Sequence, residues 1–329
     1  MFERRRKALA ATLAGAVAAM YPWRSQSTPD AKWPAAPIKM VVPFPPGGPT
    51  DLVARLLAGQ IARQLQTMVV VQNIPGANGI VGMRSVAGAK ADGYTVLFNT
   101  SSLVLSPSLY VDPGFDPAKD FDAVSSTVAM PLVLVVHPDV PAQDFHTFVR
   151  YARQRAGNLS YASAGGGNVT HLATVLLLQA TGISAMHVPY RGSAPALAGL
   201  MGKQAQFMVN PLCDALPHVQ AGRLRALAVT STQRVGVLPG VPTVAELGIA
   251  GFEVQAWHGV VVPKGTPAPV VQQLNSAIRA ALASQDVQAQ LVQRGARILG
   301  STPEDYARYI HEEELRWSAV IRAADIRPD

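Results

Sequence analysis

Two stretches of this 329-residue chain place glycines where an apolar run gives way to a helical pattern. The first is VVPFPPGGPTD (41–51), where Gly47 and Gly48 precede Pro49, Thr50 and Asp51. Proline suits the first turn of a helix, and Thr50 or Asp51 can cap it. The second is YASAGGGNVTHL (161–172), where Gly165, Gly166 and Gly167 precede Asn168 and Thr170. Free amides at a helix start, with the dipole behind them, attract anions without a cationic side chain. Glycine also lets a ligand approach the backbone closely. One such turn is ordinary strand-to-helix sterics; two in matching positions point to a small anion held from both sides. Thr100, Ser101 and Ser102 follow a third strand pattern. Ligands of open α/β sheets bind beyond the carboxyl ends of strands, so these hydroxyls either face the same cleft or cap the next helix.

Other chemistries fail on named residues. No Gly-Lys-Ser/Thr follows either turn, and Thr170 takes the third position of a dinucleotide spacing begun by Gly165 and Gly167. YASAG has Tyr161 where a nucleophile elbow needs glycine, which leaves Ser163 with His171 and an unspecified Asp as the enzyme alternative. HEEELRW (311–317) carries Leu315 where a zinc protease needs its second histidine, and reads as a solvated helix face. His137 and His218 adjoin prolines and read as loop residues, whereas His258 can line the cleft. Cys213 is the only cysteine, so no internal disulfide forms, and no basic neighbour activates it. Neither a metal site nor a cofactor site is expected.

The elements that must position these turns alternate in type. Strands are expected over 38–44, 68–72 and 94–99, with helices over 49–65 and 77–89 between them. Leu52, Val53, Leu56, Leu57, Ile61 and Leu65 give the first helix its apolar stripe. The same grammar restarts at 131–138 and runs through strands at 159–163, 185–190, 205–210 and 225–230, with helices between. Short connections in β-α-β order imply parallel sheets covered by helices. A β run at 253–263 then leads into helices over 267–282, 286–294 and 303–324. The long β runs 124–136 and 254–262 suit connections between two lobes, with a cleft between the lobes and a hinge beneath.

Composition bounds the class. Hydrophobic residues at 49% and charged residues at 15% exclude disorder. Arg4, Arg5, Arg6 and Lys7 precede an uncharged stretch, 8–20, too short for the ~20 residues of a membrane span. Small residues at its end, Ala16, Ala18 and Ala19, offer cleavage sites, so 1–19 reads as a secretory signal peptide and 20–36 as a flexible leader. Cleavage after Ala19 removes those four bases and Glu3, lowering the formal charge from +7 to +4. No dense basic stripe is left, so nucleic acid is not a partner. The remaining length calls for two domains.

VVPFPPGGPTD, NIPGANG, DGYTVLFNTSS, LSYASAGGG, HVPYRGSAPAL, ALPHVQAGRLRALAVTS, LPGVPTVAELG and VPKGTPAPVV occur in this order. Together, from about Pro37 to the C-terminus, they closely resemble the substrate-binding proteins of tripartite tricarboxylate transporters, the Bug family. The resemblance implies an α/β, two-lobed periplasmic-binding-protein fold (Venus flytrap, type II-like) with two mainly parallel sheets flanked by helices. Lobe 1 would comprise 37–130 and 255–329, and lobe 2 would comprise 131–254. It implies a monomeric, non-catalytic receptor that closes on a small carboxylate and delivers it to the large and small subunits of an inner-membrane permease. Presentation to a sensor kinase is the alternative. Carried over, the family's contacts fall on Phe44, Gly47, Gly48, Thr50, Ser101 and Ser102 in one lobe. In the other they fall on Ser163, Ala164, Gly167, Asn168 and Thr170. The chain departs from the family pattern at Asn168-Val169, where Thr-Pro is usual. It departs again at Asn210-Pro211, which replaces a common Asp-Asn and removes a charge near the cleft, and at His258, where an aromatic residue is common.

Overall fold

The computed structural model describes residues 33–323 and Ile326. The expected signal peptide and most of the leader lie outside the described residues. Residues from Ala36 onward form one compact unit.

The first series is β1 (Ile38–Val42), α1 (Pro49–Leu65), β2 (Val69–Asn73), α2 (Ile80–Ala87), β3 (Thr95–Thr100) and α3 (Ser102–Leu109). A short α4 (Pro117–Asp120) leads into the long β4 (Phe121–Val136). The second series is α5 (Phe145–Gln154), β5 (Ser160–Ser163), α6 (Val169–Thr181), β6 (Met186–Pro189), α7 (Ser193–Met201), β7 (Phe207–Pro211), α8 (Leu212–Gln220) and β8 (Arg225–Val229). The chain closes with β9 (Gln255–Pro263), α9 (Ala268–Ala283), α10 (Gln285–Val292), β10 (Arg297–Ile298) and α11 (Pro303–Ala323). His218 therefore sits in the last turn of α8 rather than in a loop.

α1 forms over the span its sequence spacing predicts, burying Val53, Ala54, Leu57, Ala58 and Ile61 on one face. Burial of Val53, Leu57 and Ile61 contributes about 1.5–3 kcal/mol each. Leu52 turns outward and is 38% exposed, because a 3.6-residue repeat carries it off the stripe.

The strand order is β2-β1-β3-β9-β4-β7-β5-β6. Within each half the β-α-β strands run parallel: β2, β1 and β3 at one end, and β7, β5 and β6 at the other. The halves meet through β4, which is antiparallel to β9 and to β7. Its first part pairs with β9 as far as Pro131↔Gln255, and from Leu132↔Pro211 onward it pairs with β7. The two expected sheets thus share one strand, and the α/β two-lobed fold is built around it.

Thr230 fastens this crossing. Its Oγ1 accepts from the Leu132 amide at 2.9 Å and donates to the Val254 carbonyl at 2.6 Å, just before β9 begins. The Thr230 amide returns to the Leu132 carbonyl at 2.9 Å. One fully buried hydroxyl thereby serves both segments that pass between the halves.

The HEEELRW segment is not a wholly solvated face. Glu313 is buried, and its Oε2 accepts from the indoles of Trp257 at 2.9 Å and Trp317 at 3.0 Å. Arg316 pairs with its other oxygen at 3.1 Å. A buried carboxylate persists here because both of its oxygens find donors. Leu315, two residues on, faces outward instead and is 60% exposed.

Replacing Thr230 with valine leaves the Leu132 amide buried without its acceptor. The expected loss is about 1–3 kcal/mol of unfolding free energy in urea denaturation, with Thr230→Ser close to wild type. A loss of only a few tenths would show that the hydroxyl does not fasten the crossing.

Candidate functional site

Five helices begin on the wall of one cavity of about 130 Å³. α1 contributes Gly48, Pro49 and Thr50, and α3 contributes Ser101 and Ser102. From the other half, α6 contributes Asn168, Val169 and Thr170, α7 contributes Gly192, Ser193 and Ala194, and α8 contributes its cap Pro211. First-turn amides have no partner inside their own helix, and the dipoles add at the shared end. A second cavity of about 580 Å³ adjoins the first, and both touch Phe44, Pro45, Ala164, Arg191 and Gly192. Neither lining includes an aspartate or glutamate, and Arg191 is the one lysine or arginine among them. Arg191 is exposed and has no carboxylate partner among the described residues.

The β1–α1 turn is folded around Asp51, which is 4% exposed. Its carboxylate accepts from the Gly47 amide, from Arg55 Nε and from Asn73 Nδ2, each at 2.9 Å. Burial alone would raise its pKa; the bonds from Arg55, Gly47 and Asn73 outweigh that and hold the carboxyl below the usual range. The negative charge at the start of α1 is therefore neutralised on the side away from the cavity. Asn73 also donates to the Phe44 carbonyl at 3.0 Å, which fixes the chain leading into the glycines.

The second turn is stitched internally. Asn168 caps α6 by accepting from the Thr170 amide at 3.1 Å, and Thr170 Oγ1 accepts from the Ala164 amide at 2.9 Å. The Gly167 amide donates to His171 Nδ1 at 3.1 Å. Ser163 Oγ lies 2.6 Å from His187 Nε2, and the His187 ring stacks on His171 with centroids 4.0 Å apart. Ser163, the nucleophile of the enzyme alternative, thus meets His187; it is fully buried and lies off both cavity walls.

Of the residues the sequence nominated, Phe44, Gly48, Thr50, Ser101, Ser102, Ala164, Asn168 and Thr170 line the smaller cavity. Gly47, Ser163, Gly167 and Asn210 line neither. The amides of Gly47 and Gly167 are taken by Asp51 and His171. Asn210 is fully buried and accepts from Ser193 Oγ at 3.0 Å, supporting the start of α7 from behind. Sequence reasoning missed Arg191, Gly192 and Ser193. The signal was present in PYRGSAPAL, a third strand-glycine-helix turn of the same kind.

His258 forms part of the floor. Its Nε2 lies 3.1 Å from Thr50 Oγ1, and its ring stacks on Phe98 with centroids 5.7 Å apart. Burial pushes its pKa down to about 4, so it is neutral at pH 7. The floor thus offers a dipole rather than a charge.

A cavity gathering helix starts from two halves, which long strands join at one crossing, defines a two-lobed solute receptor. The chain belongs to the tripartite tricarboxylate transporter receptor family, whose model matches residues 53–326. It is 37% identical over 292 residues to protein BugT of Bordetella pertussis, covering 88% of this chain and 90% of BugT. It resembles the solved periplasmic binding protein BugD, with a TM-score of 0.86 and 37% identity over 90% of this chain and all of BugD's. It also resembles R. palustris Rpa4515, solved with adipate, with a TM-score of 0.87 and 35% identity over 91% of this chain and all of that one.

Because folded His258 takes up a proton only near pH 4, against about 6.5 when unfolded, acidification through that window favours the unfolded chain. The native protein is expected to lose up to about 3 kcal/mol from this residue between pH 7 and pH 4, at 1.36 kcal/mol per pH unit. Unfolding titrations of wild type and His258→Phe at both pH values measure the difference. Parallel pH profiles would show that His258 titrates alike in the folded and unfolded chain.

Proposed function

We propose that this chain is exported to the periplasm, captures a small dicarboxylate between its lobes and delivers it to the large and small permease subunits of a tripartite tricarboxylate transporter. The observation that carries the reading is the convergence of five helix N-termini on a cavity without an acidic side chain. Adipate, the acid bound by its structural neighbour from R. palustris, is a dicarboxylate. Export is supported by the basic cluster Arg4–Lys7 and the apolar stretch that follows it.

One carboxylate is held at the smaller cavity by the helix starts bearing Gly48, Thr50, Ser102, Asn168, Thr170 and Ser193. Two or three charge-assisted bonds of about 1.5–3 kcal/mol each offset its desolvation. The second carboxylate extends to Arg191, which lies on the wall common to both cavities. Lobe 1 is 37–130 with 255–329 and lobe 2 is 131–254, a division supported by the change of β4 partner at Leu132. Binding proceeds without turnover.

A thermal-shift series of mono-, di- and tricarboxylates tests the reading. A bound acid at about 100 times its Kd stabilises by roughly 2.7 kcal/mol. Gly48 has an extended backbone with φ −82°, and a Cβ there would lie 3.7 Å from the nearest neighbour, the Pro45 carbonyl. Gly48→Val is therefore expected to fold and to lose every shift; retained shifts would place the ligand elsewhere. Arg191→Ala is expected to weaken dicarboxylates about tenfold or more while leaving monocarboxylates unchanged. An equal effect on both classes would remove Arg191 from the site.

A further inference from the structure

Asn78 stands in a short turn between β2 and α2, in the left-handed region at φ 53° and ψ 32°. Asparagine tolerates this conformation better than most residues. Its side chain reaches the opposite half of the molecule. Nδ2 donates to the Gly167 carbonyl at 3.0 Å, and Oδ1 accepts from Asn168 Nδ2 at 3.1 Å. On its own side, Oδ1 also accepts from Ser102 Oγ at 3.4 Å.

Both ends of this amide are occupied by groups that build the site. Asn168 is the cap of α6, so a single asparagine holds the helix start with its oxygen and Asn78 with its nitrogen. Ser102 and Asn168 line the smaller cavity, while Asn78 lines the larger one. The approach around it is close. A Cβ on Gly167, at φ 71°, would come within 2.8 Å of Leu109 Cδ1, and Tyr110 OH donates to the Gly166 carbonyl at 3.5 Å. The β1-to-α3 half and the α6 half touch here, well away from the crossing at Thr230.

We infer that Asn78 is a clasp: a positioning residue that holds the two halves of the site shut around a ligand it does not itself touch. This rests on the ligand-capture reading above. Bonds that exist only in the shut form add to the affinity for every ligand alike, because apparent affinity scales with the fraction of molecules that are shut. Losing the clasp lowers that fraction without altering the contacts inside.

Asn78→Gly tests it, since glycine takes the left-handed conformation freely and removes only the side chain. Asn78→Asp is a second variant of the same shape that cannot donate to the Gly167 carbonyl. Calorimetry with adipate, succinate and benzoate, and stopped-flow release of each acid that binds, are the measurements. Both variants are expected to weaken every bound acid about tenfold, by a common factor and through faster release. The radius of gyration from small-angle scattering without ligand is expected to exceed that of wild type. Unchanged affinity, or a loss confined to one acid, would overturn the clasp; the latter would make Asn78 a ligand contact. If wild type binds none of the acids, the capture reading fails separately, and equal ligand-free radii for wild type and Asn78→Gly overturn the clasp on their own.

Discussion

Helix starts bring partial positive charge wherever they point, roughly half an elementary charge each, and here several point at the same small volume. Gathering like charge is unfavourable unless something negative occupies the space, and within the cavity walls the protein provides nothing negative. That arrangement dictates the rest. Within each half the β-α-β strands run parallel so that their carboxyl ends, and the helices that follow, open on the same side. The two halves then face each other with like polarity, and an anion is the one kind of guest that both prefer.

The neighbouring ionisable groups keep that field intact. Asp51 sits in the first turn of α1, where an acid would cancel the dipole, yet its charge is absorbed by Arg55, Asn73 and the Gly47 amide. His258 is kept neutral by burial, so it neither adds a cation nor withdraws a hydrogen-bonding group. Glu313 lies far along the fold under two indoles, where its charge is satisfied within α11 and β9. Acidic charge is present nearby, but it is turned away from the guest, and the one basic side chain on the cavity walls is Arg191.

Much of this was legible in the sequence. The spacing of Val53, Leu57 and Ile61 places the buried face of α1, and both glycine turns stand where expected, because tight turns and amphipathic helices are local physics. The destination of each amide was less legible. Gly47 and Gly167 were read as free donors, but residues four positions on, Asp51 and His171, take those hydrogens. The turn bearing Arg191 and Gly192, which opens α7 at Ser193, carries the same strand-glycine-helix signal but was passed over. Long-range facts were less legible: the run 124–136 reads as a connection between lobes, but its pairing with both β9 and β7, the three-way role of Thr230 and the burial of Glu313 depend on segments far apart in the chain.

Trp257 and His258 are neighbours on β9 and point to opposite faces. The indole goes to Glu313 beneath α11, and the imidazole goes to the floor of the cavity. Their partners on β4 are Ala129 and Val128, next to a register irregularity between Ser126 and Val128. A bulge of that kind pins alignment, since sliding a strand by one residue exchanges its faces. Were β9 to slip by a single place, a bulky ring would fill the chamber and a neutral heterocycle would meet the carboxylate meant for tryptophan. The same local kink that bends the shared strand therefore also guards the volume in which the guest must fit.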